Sequence, residues 1–228
     1  MIKDLFKSYF HFPKQQPGWP IVAIIGGATV ILSVLYLPLG VLGFASFIYF
    51  TIILRPPQRA LSEQQARPSS GQILAPIDGQ IIWVHHNREH KRIHIRMRPD
   101  FLNSHLAYAP IAGQIDQQIW YDGQFASFGD TEIPPPTHAC QEIIFTPEAA
   151  ASGDDRVSMT HYGAPFSRII QSFVQEGRKV TPETVVAVGV LRTVIDVSFP
   201  AMYAPEIRVG QRCLAGETVI ADKIRKTE

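Results

Sequence analysis

The sequence predicts a mainly β fold, a barrel-sandwich-like domain of folded-over strands preceded by an N-terminal α-helical membrane hairpin. Three observations carry this. Residues 15–54 contain no Asp, Glu, Lys or Arg. From residue 73 onward, β-branched and apolar runs alternate with Gly, Pro and Asp, and no long helical apolar period appears. Two segments also return in approximate duplicate: APIDGQI at 75–81 recurs as APIAGQI at 109–115, and EGRKVTPETVVA at 176–187 resembles VGQRCLAGETVIA at 209–221.

Taken in order, residues 1–18 form a basic N-terminus with Lys3, Lys7 and Lys14, expected on the cytoplasmic side. Residues 19–54 are the hairpin, divided at LPLG into two apolar halves. Each half, of about 17 residues, reaches roughly 26 Å as a helix against a bilayer core of about 30 Å, so the halves are short spans or a shallow hairpin. Arg55 and Arg59 follow, so both ends are expected inside, with the soluble domain on the cytoplasmic face of the membrane. Residues 55–72 read as a polar linker, and residues 73–228 as the β domain. A Gly turn flanked by short strands, used twice, suits a compact sandwich like the biotinyl and lipoyl carrier domains. Neither copy has the lysine-centred tip that those carriers modify.

A net charge of +1 gives no bulk electrostatic case for a nucleic-acid partner. Cys140 and Cys213 lack metal-ligand spacing and read as buried reduced thiols. His85, His86, His90 and His94 have no carboxylate or cysteine partner at a telling interval, so no metal site is expected.

The chemistry-bearing candidates are individually ordinary. Asp78, before Gly79, suits a tight turn; His105 precedes an apolar strand; Thr193 interrupts VGVLRTVIDVSFP beside the cation of Arg192. Together they compose an acid, an imidazole and a hydroxyl, the parts of a nucleophile relay. In RIHIRMR, alternation puts Arg92, His94, Arg96 and Arg98 on one face. That strip is either an attraction for anionic lipid or an ordinary solvated face.

The order and surroundings of these residues resemble the phosphatidylserine decarboxylases, in particular the short forms with a membrane hairpin. LRPPQR is similar to that family's Phe-Arg-Asp-Pro-x-Arg segment, and APIDG to its Ser-Pro-Ala-Asp-Gly. FLNSHLAYAPIAG resembles its FDCHVNRAPVRG-type stretch, with His105 on the family histidine. VGVLRTVIDVSFP falls on the RFGSRVDLYLP-type stretch where those chains cut themselves. In that family a Gly-Ser bond breaks by attack of the serine hydroxyl, and the new N-terminus becomes a pyruvoyl group that serves as electron sink for decarboxylation.

The resemblance implies that Asp78 and His105 assist self-cleavage and that Arg192-Thr193 is the scissile pair. Thr193 would then be nucleophile and precursor of a self-generated 2-oxobutanoyl group, with no separately bound cofactor. It also implies a membrane lipid as partner and phosphatidylserine as substrate, puts Arg168 on a family arginine, and leaves a homo-oligomer open; with Arg96 and Arg98 of the basic strip, which the resemblance does not supply, Arg168 is a candidate headgroup ligand. The departures are specific. Arg-Thr replaces Gly-Ser, Asn103 an Asp, Ala107-Tyr108 an Asn-Arg, and Pro56 an Asp. Threonine is stiffer about χ1 and one methyl larger, and Arg lacks the φ > 0 freedom of glycine, so each change is expected to slow cutting. The alternative is a pseudoenzyme that does not cut and binds anionic lipid or a partner at the membrane.

Overall fold

The computed structural model describes residues 19–55, 71–148, 155–165, 170–189 and 193–224. Two units are present, Met1–Pro56 and Pro57–Glu228.

In the first unit, helices α1 (Trp19–Leu35) and α2 (Leu37–Ile53) flank Tyr36, whose φ of −160° and ψ of 113° break the helix. Pro38 explains the break: it fits the first turn of a helix but has no N–H to donate to the Val34 carbonyl, so α1 cannot continue through it. LPLG, expected as the divider, is therefore the opening of α2. The helices pack through small residues. A Cβ on Gly40 would stand 2.7 Å from Ser33 Cα, and one on Gly43 would stand 3.3 Å from Thr29 Cα. Thr29, Ser33, Ser46 and Thr51 each return their hydroxyl to the carbonyl four residues earlier, while Ile31, Val34, Leu35 and Val41 stand exposed. The expectation of spanning segments needs correction: at 17 residues each, neither helix is long and apolar enough to cross a membrane, and no other helix among the described residues is.

The second unit is β. Its strands are β1 (Gln72–Leu74), β2 (Gly79–Asn87), β3 (Arg92–Pro99), β4 (Leu106–Tyr108), β5 (Gly113–Tyr121), β6 (Cys140–Pro147) and β7 (Val157–Tyr162). They continue with β8 (Ile170–Ser172), β9 (Lys179–Val180), β10 (Val185–Gly189), β11 (Val194–Pro200), β12 (Tyr203–Pro205), β13 (Arg212–Cys213) and β14 (Val219–Lys223). An eight-stranded sheet runs β13-β2-β3-β11-β7-β6-β5-β9, and two three-stranded sheets run β1-β14-β12 and β4-β10-β8. One apolar core joins all three, with Ile73, Ile220 and Tyr203 from one small sheet, Ala107 and Val186 from the other, and Ile95, Val197 and Met159 from the large one.

The sequence echoes are a structural duplication. Strands β1–β3 with β11–β14 make one copy, and β4–β10, inserted between β3 and β11, make the other. Leu74 N–H donates to Pro110 C=O and Tyr108 N–H to Pro76 C=O, both at 2.8 Å, so the copies clasp each other reciprocally. The Gly turns obey the same rule. Gly210 (φ +90°) donates to Ile81 C=O, Gly177 (φ +79°) donates to Ile115 C=O, and β2 and β5 carry bulges at matching places. At the middle of the large sheet, β11 and β7 pair with Val197 opposite Met159, its own equivalent.

This topology makes the chain cross between copies twice. The first crossing lies between β3 and β4 and holds Asn103, Ser104 and His105. The second lies between β10 and β11 and ends at Thr193. Residues 190–192, including Arg192 of the expected scissile pair, lie outside the described residues, as does Arg168.

Candidate functional site

Gly189, the last residue of β10, is where the two crossings meet. Its N–H donates to the carbonyl of His105 at 3.3 Å. Its carbonyl accepts the Thr193 hydroxyl at 3.1 Å. The space above its Cα is equally telling. A Cβ placed there would lie 2.4 Å from His161 Nε2, 2.7 Å from Thr193 Oγ1 and 2.9 Å from Thr193 Cγ2. Only glycine permits so close an approach of an imidazole and a hydroxyl. Thr193, His105 and His161 are all buried.

The two imidazoles are held differently. His105 Nδ1 faces the carbonyl of Asn103 at 2.8 Å. A carbonyl only accepts, so Nδ1 carries the proton and Nε2 presents a lone pair, the state a general base needs. Burial lowers the His105 pKa, and the Asn103 carbonyl opposes that shift. His161 is more deeply enclosed, and burial, then the neighbouring charge of His105, pushes its pKa down to about 3. Both rings are neutral at ordinary pH.

Of the residues expected from sequence, His105 and Thr193 are thus brought to one glycine. Asp78 is buried and its Oδ1 accepts the Ala215 amide at 2.8 Å, which ties the β2 turn to the connection between β13 and β14. The orienting group at His105 Nδ1 is the Asn103 carbonyl, a place the sequence reading had reserved for Asp78.

Arg96 is a correction. Expected as a headgroup ligand, it is completely buried. Its Nε and Nη2 grip both oxygens of Asp196 at 2.7 and 2.8 Å, and its Nη1 donates to the carbonyls of Asp130 and Glu132. Trp83 and Phe128 cover the guanidinium, their ring centroids 4.7 and 5.0 Å away. Two of its hydrogen bonds pin the 128–132 segment over the sheet and the other two hold Asp196. Arg98 remains partly exposed and pairs with Asp130 at 2.8 Å. Arg92 donates to the hydroxyl and carbonyl of Ser198. The strip is therefore mostly internal wiring.

The sequence reading missed Gly189 and His161. The available signal was alternation in VSMTHY, which sets His161 on the apolar face with Val157 and Met159. The opposite face of the sheet carries an open cavity of about 550 Å³, bordered by His94, Glu142, Arg156 and Tyr162. Alternation along β7 and β11 separates it from the side chains packed on Gly189.

The duplication sharpens the contrast between a scaffold and a site. By register, Asp78 corresponds to Ala112, His105 to Gly71, and His161 to Phe199. The polar groups are where the two copies differ, as expected if the shared fold is support and the chemistry was added to it.

The family model for phosphatidylserine decarboxylase matches residues 47–221. The chain is similar to a phosphatidylserine decarboxylase proenzyme of Nitrobacter winogradskyi, 26% identical over 220 residues that cover 92% of this chain and 84% of that protein. The proenzyme of the same name from Xanthobacter autotrophicus is 26% identical over 220 residues, covering 92% and 89%. That from Beijerinckia indica is 22% identical over 221 residues, covering 92% and 90%. The match takes in both chain crossings, the turn of Asp78 and nearly all of the β unit, and the chain belongs to the phosphatidylserine decarboxylase family.

Proposed function

We propose that the chain is a self-processing phosphatidylserine decarboxylase that cuts between Arg192 and Thr193 and converts phosphatidylserine to phosphatidylethanolamine. The observation that carries this reading is the close approach of the Thr193 hydroxyl and an imidazole to Gly189, whose backbone N–H is bonded to the His105 carbonyl. The relatives' designation as proenzymes agrees with it.

In this reading Thr193 Oγ1 attacks the preceding carbonyl, and His105 Nε2 takes the hydroxyl proton. The peptide C–N bond gives way to an ester. Loss of the Thr193 α-proton then breaks the ester C–O bond, releasing the 1–192 fragment as a carboxylate. Water completes conversion of the new N-terminus to a 2-oxobutanoyl group with release of ammonia. Such a group supplies an electron sink for decarboxylation of an amino acid headgroup. The extra methyl that threonine brings lies toward the missing side chain of Gly189, so the residues present fit the larger group. Asp78 serves by fixing the turn that carries the Ala215 connection.

Helices α1 and α2 give the protein a membrane contact. Exposed apolar side chains and hydroxyls already bonded to their own backbone suit a shallow hairpin in the inner leaflet, with Lys3, Lys7, Lys14, Arg55 and Arg59 at the cytoplasmic surface. That depth matches two helices too short to cross.

Intact-mass measurement of the full chain tests the proposal. The expected result is two fragments, residues 1–192 and 193–228, the shorter blocked to N-terminal sequencing, together with carbon dioxide released from phosphatidylserine vesicles. His105→Ala should remain whole. A single uncut species of wild-type protein after long incubation would overturn the reading in favour of a lipid-binding pseudoenzyme, with Arg192 holding a phosphate in place of the lost carbonyl group.

A further inference from the structure

We infer that the cavity on the outer face of the large sheet is a binding site for a small zwitterion with a phosphate at one end and an ammonium at the other, an aminoalkyl phosphate. The site lies across the sheet from the side chains packed on Gly189 and is independent of self-processing. Its volume of about 550 Å³ falls within the range of small-molecule sites, about 300–1,000 Å³. Outward side chains of β3, β11, β7 and β6 line it, and Pro134, Pro135 and Pro136, whose φ angles are fixed, add a stiff border.

Hydroxyls without partners point to a ligand. Alternation in VSMTHY turns Ser158 and Thr160 away from the core, and Ser198 of β11, opposite Ser158 in register, turns the same way. Ser158 is 8% exposed and Ser198 6%. The Ser158 and Thr160 hydroxyls nonetheless have no hydrogen-bond partner among the described residues, and both line the cavity. Ser198 Oγ accepts from Arg92 Nε at 2.9 Å, so its own proton remains to be donated. An enclosed hydroxyl without a partner is costly, and three of them border one space.

Charge is distributed along the same rows. Arg92 reaches over the Ser158–Ser198 row, donating to the Ser198 hydroxyl and to the Arg156 carbonyl at 3.0 Å. Arg156, paired with Asp116 at 3.1 Å, brings a second guanidinium to this end of the cavity. Hydroxyl donors from two strands beside guanidinium charge suit a tetrahedral phosphate, whose oxygens point in separate directions. One row further, Thr160 faces Asp196 on one side and Glu142 on the other. Arg96 occupies both oxygens of Asp196. Glu142 receives a long bond of 3.4 Å from the Tyr121 hydroxyl, and no cation pairs with it among the described residues. Successive outward residues of a strand stand about 6.8 Å apart. That separation suits a phosphate at Ser158 joined by a short carbon chain to an ammonium at Glu142.

Titration calorimetry of the full-length protein with phosphoethanolamine, glycerol phosphate and ethanolamine reads the two ends separately. Phosphoethanolamine should bind more tightly than either partial ligand. Ser158→Ala with Thr160→Val should weaken phosphoethanolamine and glycerol phosphate alike, by about tenfold or more, as expected when hydrogen bonds to a charged group are lost. Glu142→Gln should weaken phosphoethanolamine by about tenfold and leave glycerol phosphate unchanged. Thr193→Val, altered beside Gly189, should bind as wild type does, whether or not the chain cuts itself. Thermal melts check that each variant folds. Aminoalkyl phosphate chemistry is shared by a free metabolite and a lipid headgroup. Vesicles of phosphatidylethanolamine that compete with phosphoethanolamine assign the ligand to the headgroup, and vesicles that do not compete assign it to the soluble compound. No binding of phosphoethanolamine to wild type would overturn the site, as would wild-type affinity in the Ser158→Ala, Thr160→Val variant. Equal loss of both phosphates in Glu142→Gln, or loss of binding in Thr193→Val, would overturn it as well.

Discussion

Gly189 and Thr193 are joined twice over: the hydroxyl donates to the glycine carbonyl at 3.1 Å, and the threonine methyl lies 2.9 Å from where a Gly189 Cβ would stand. A β-branched residue at position 193 needs room that serine would not. The glycine supplies it at the end of β10, next to the second crossing. Gly189→Ala should therefore be damaging, since the added carbon meets His161 Nε2 at 2.4 Å and Thr193 Oγ1 at 2.7 Å. We expect a loss of about 1–3 kcal/mol of stability by urea titration, the usual result of overpacking a closed core. Cutting should slow sharply in parallel. Unchanged stability and rate would show that His161 and Thr193 move aside without consequence.

Thr193→Ser separates the hydroxyl from the methyl. Serine keeps the nucleophile and frees χ1, so more of its conformers can reach the carbonyl. Cutting should quicken, and the mass of the short fragment should fall by one methylene as its blocked end becomes pyruvoyl. Thr193→Val retains the shape of threonine without the hydroxyl and should leave the chain whole. Fragments from the valine variant would assign the nucleophile elsewhere.

Arg96 and Asp196 form a bidentate pair sealed beneath Trp83 and Phe128. Arg96→Met removes one charge and abandons the other in the interior, at a cost of about 3–5 kcal/mol. Replacing both with apolar residues of similar volume, as in Arg96→Met with Asp196→Leu, should restore much of that stability. The measurement is chemical denaturation of the two single variants and the double variant. If Arg96→Met alone is neutral, the guanidinium is not the pin described above.

The distance between what the sequence disclosed and what it concealed is clearest at this arginine. Alternation in RIHIRMR placed Arg92, His94, Arg96 and Arg98 on one face correctly, but a strand does not say what lies over that face. The cover comes from residues 128–132, some thirty positions onward, and turns an expected surface charge into a buried pin. The duplicated APIxGQI turns were legible because each copy must satisfy the same local demands for a tight Gly turn and a buried Ile. His105 and Thr193 were individually ordinary and were singled out by their combination with Asp78 and by the family-like segments around them. His161 was not, because its meeting with Gly189 depends on β11 pairing with β7, a contact invisible to local pattern.

Acid should destabilise the fold through buried histidines. Burial, reinforced by Arg92 and His85, lowers the His94 pKa to about 4, and burial lowers that of His161 to about 3. Unfolded histidine titrates near 6.5. Between that value and the folded ones, the unfolded chain binds more protons. Stability is therefore complete above about pH 6.5 and declines as pH falls, by at most about 1.4 kcal/mol per pH unit for each group. The loss is smaller for His94, which is partly exposed and screened by water. Melting temperatures should drop steadily from pH 7 to pH 4.5, and His94→Gln should flatten part of that slope. A level profile would contradict the enclosure of both rings.

The α1–α2 pair invites a test in which the β unit is left untouched. Val34, Leu35 and Val41 each expose more than half of their surface. Burying a side chain of this size is worth about 1.5–3 kcal/mol. If these residues enter the interface of a bilayer, Val34→Asp with Val41→Asp should reduce sedimentation of the full chain with phosphatidylserine-containing vesicles by more than tenfold, without altering urea unfolding of the β unit. The helices need not cross for this to hold, because their length reaches only about 25 Å at 1.5 Å per residue, short of a hydrocarbon core of about 30 Å. Equal sedimentation of variant and wild type would mean that some other surface meets the lipid. The exposed apolar residues would then require a protein partner to cover them.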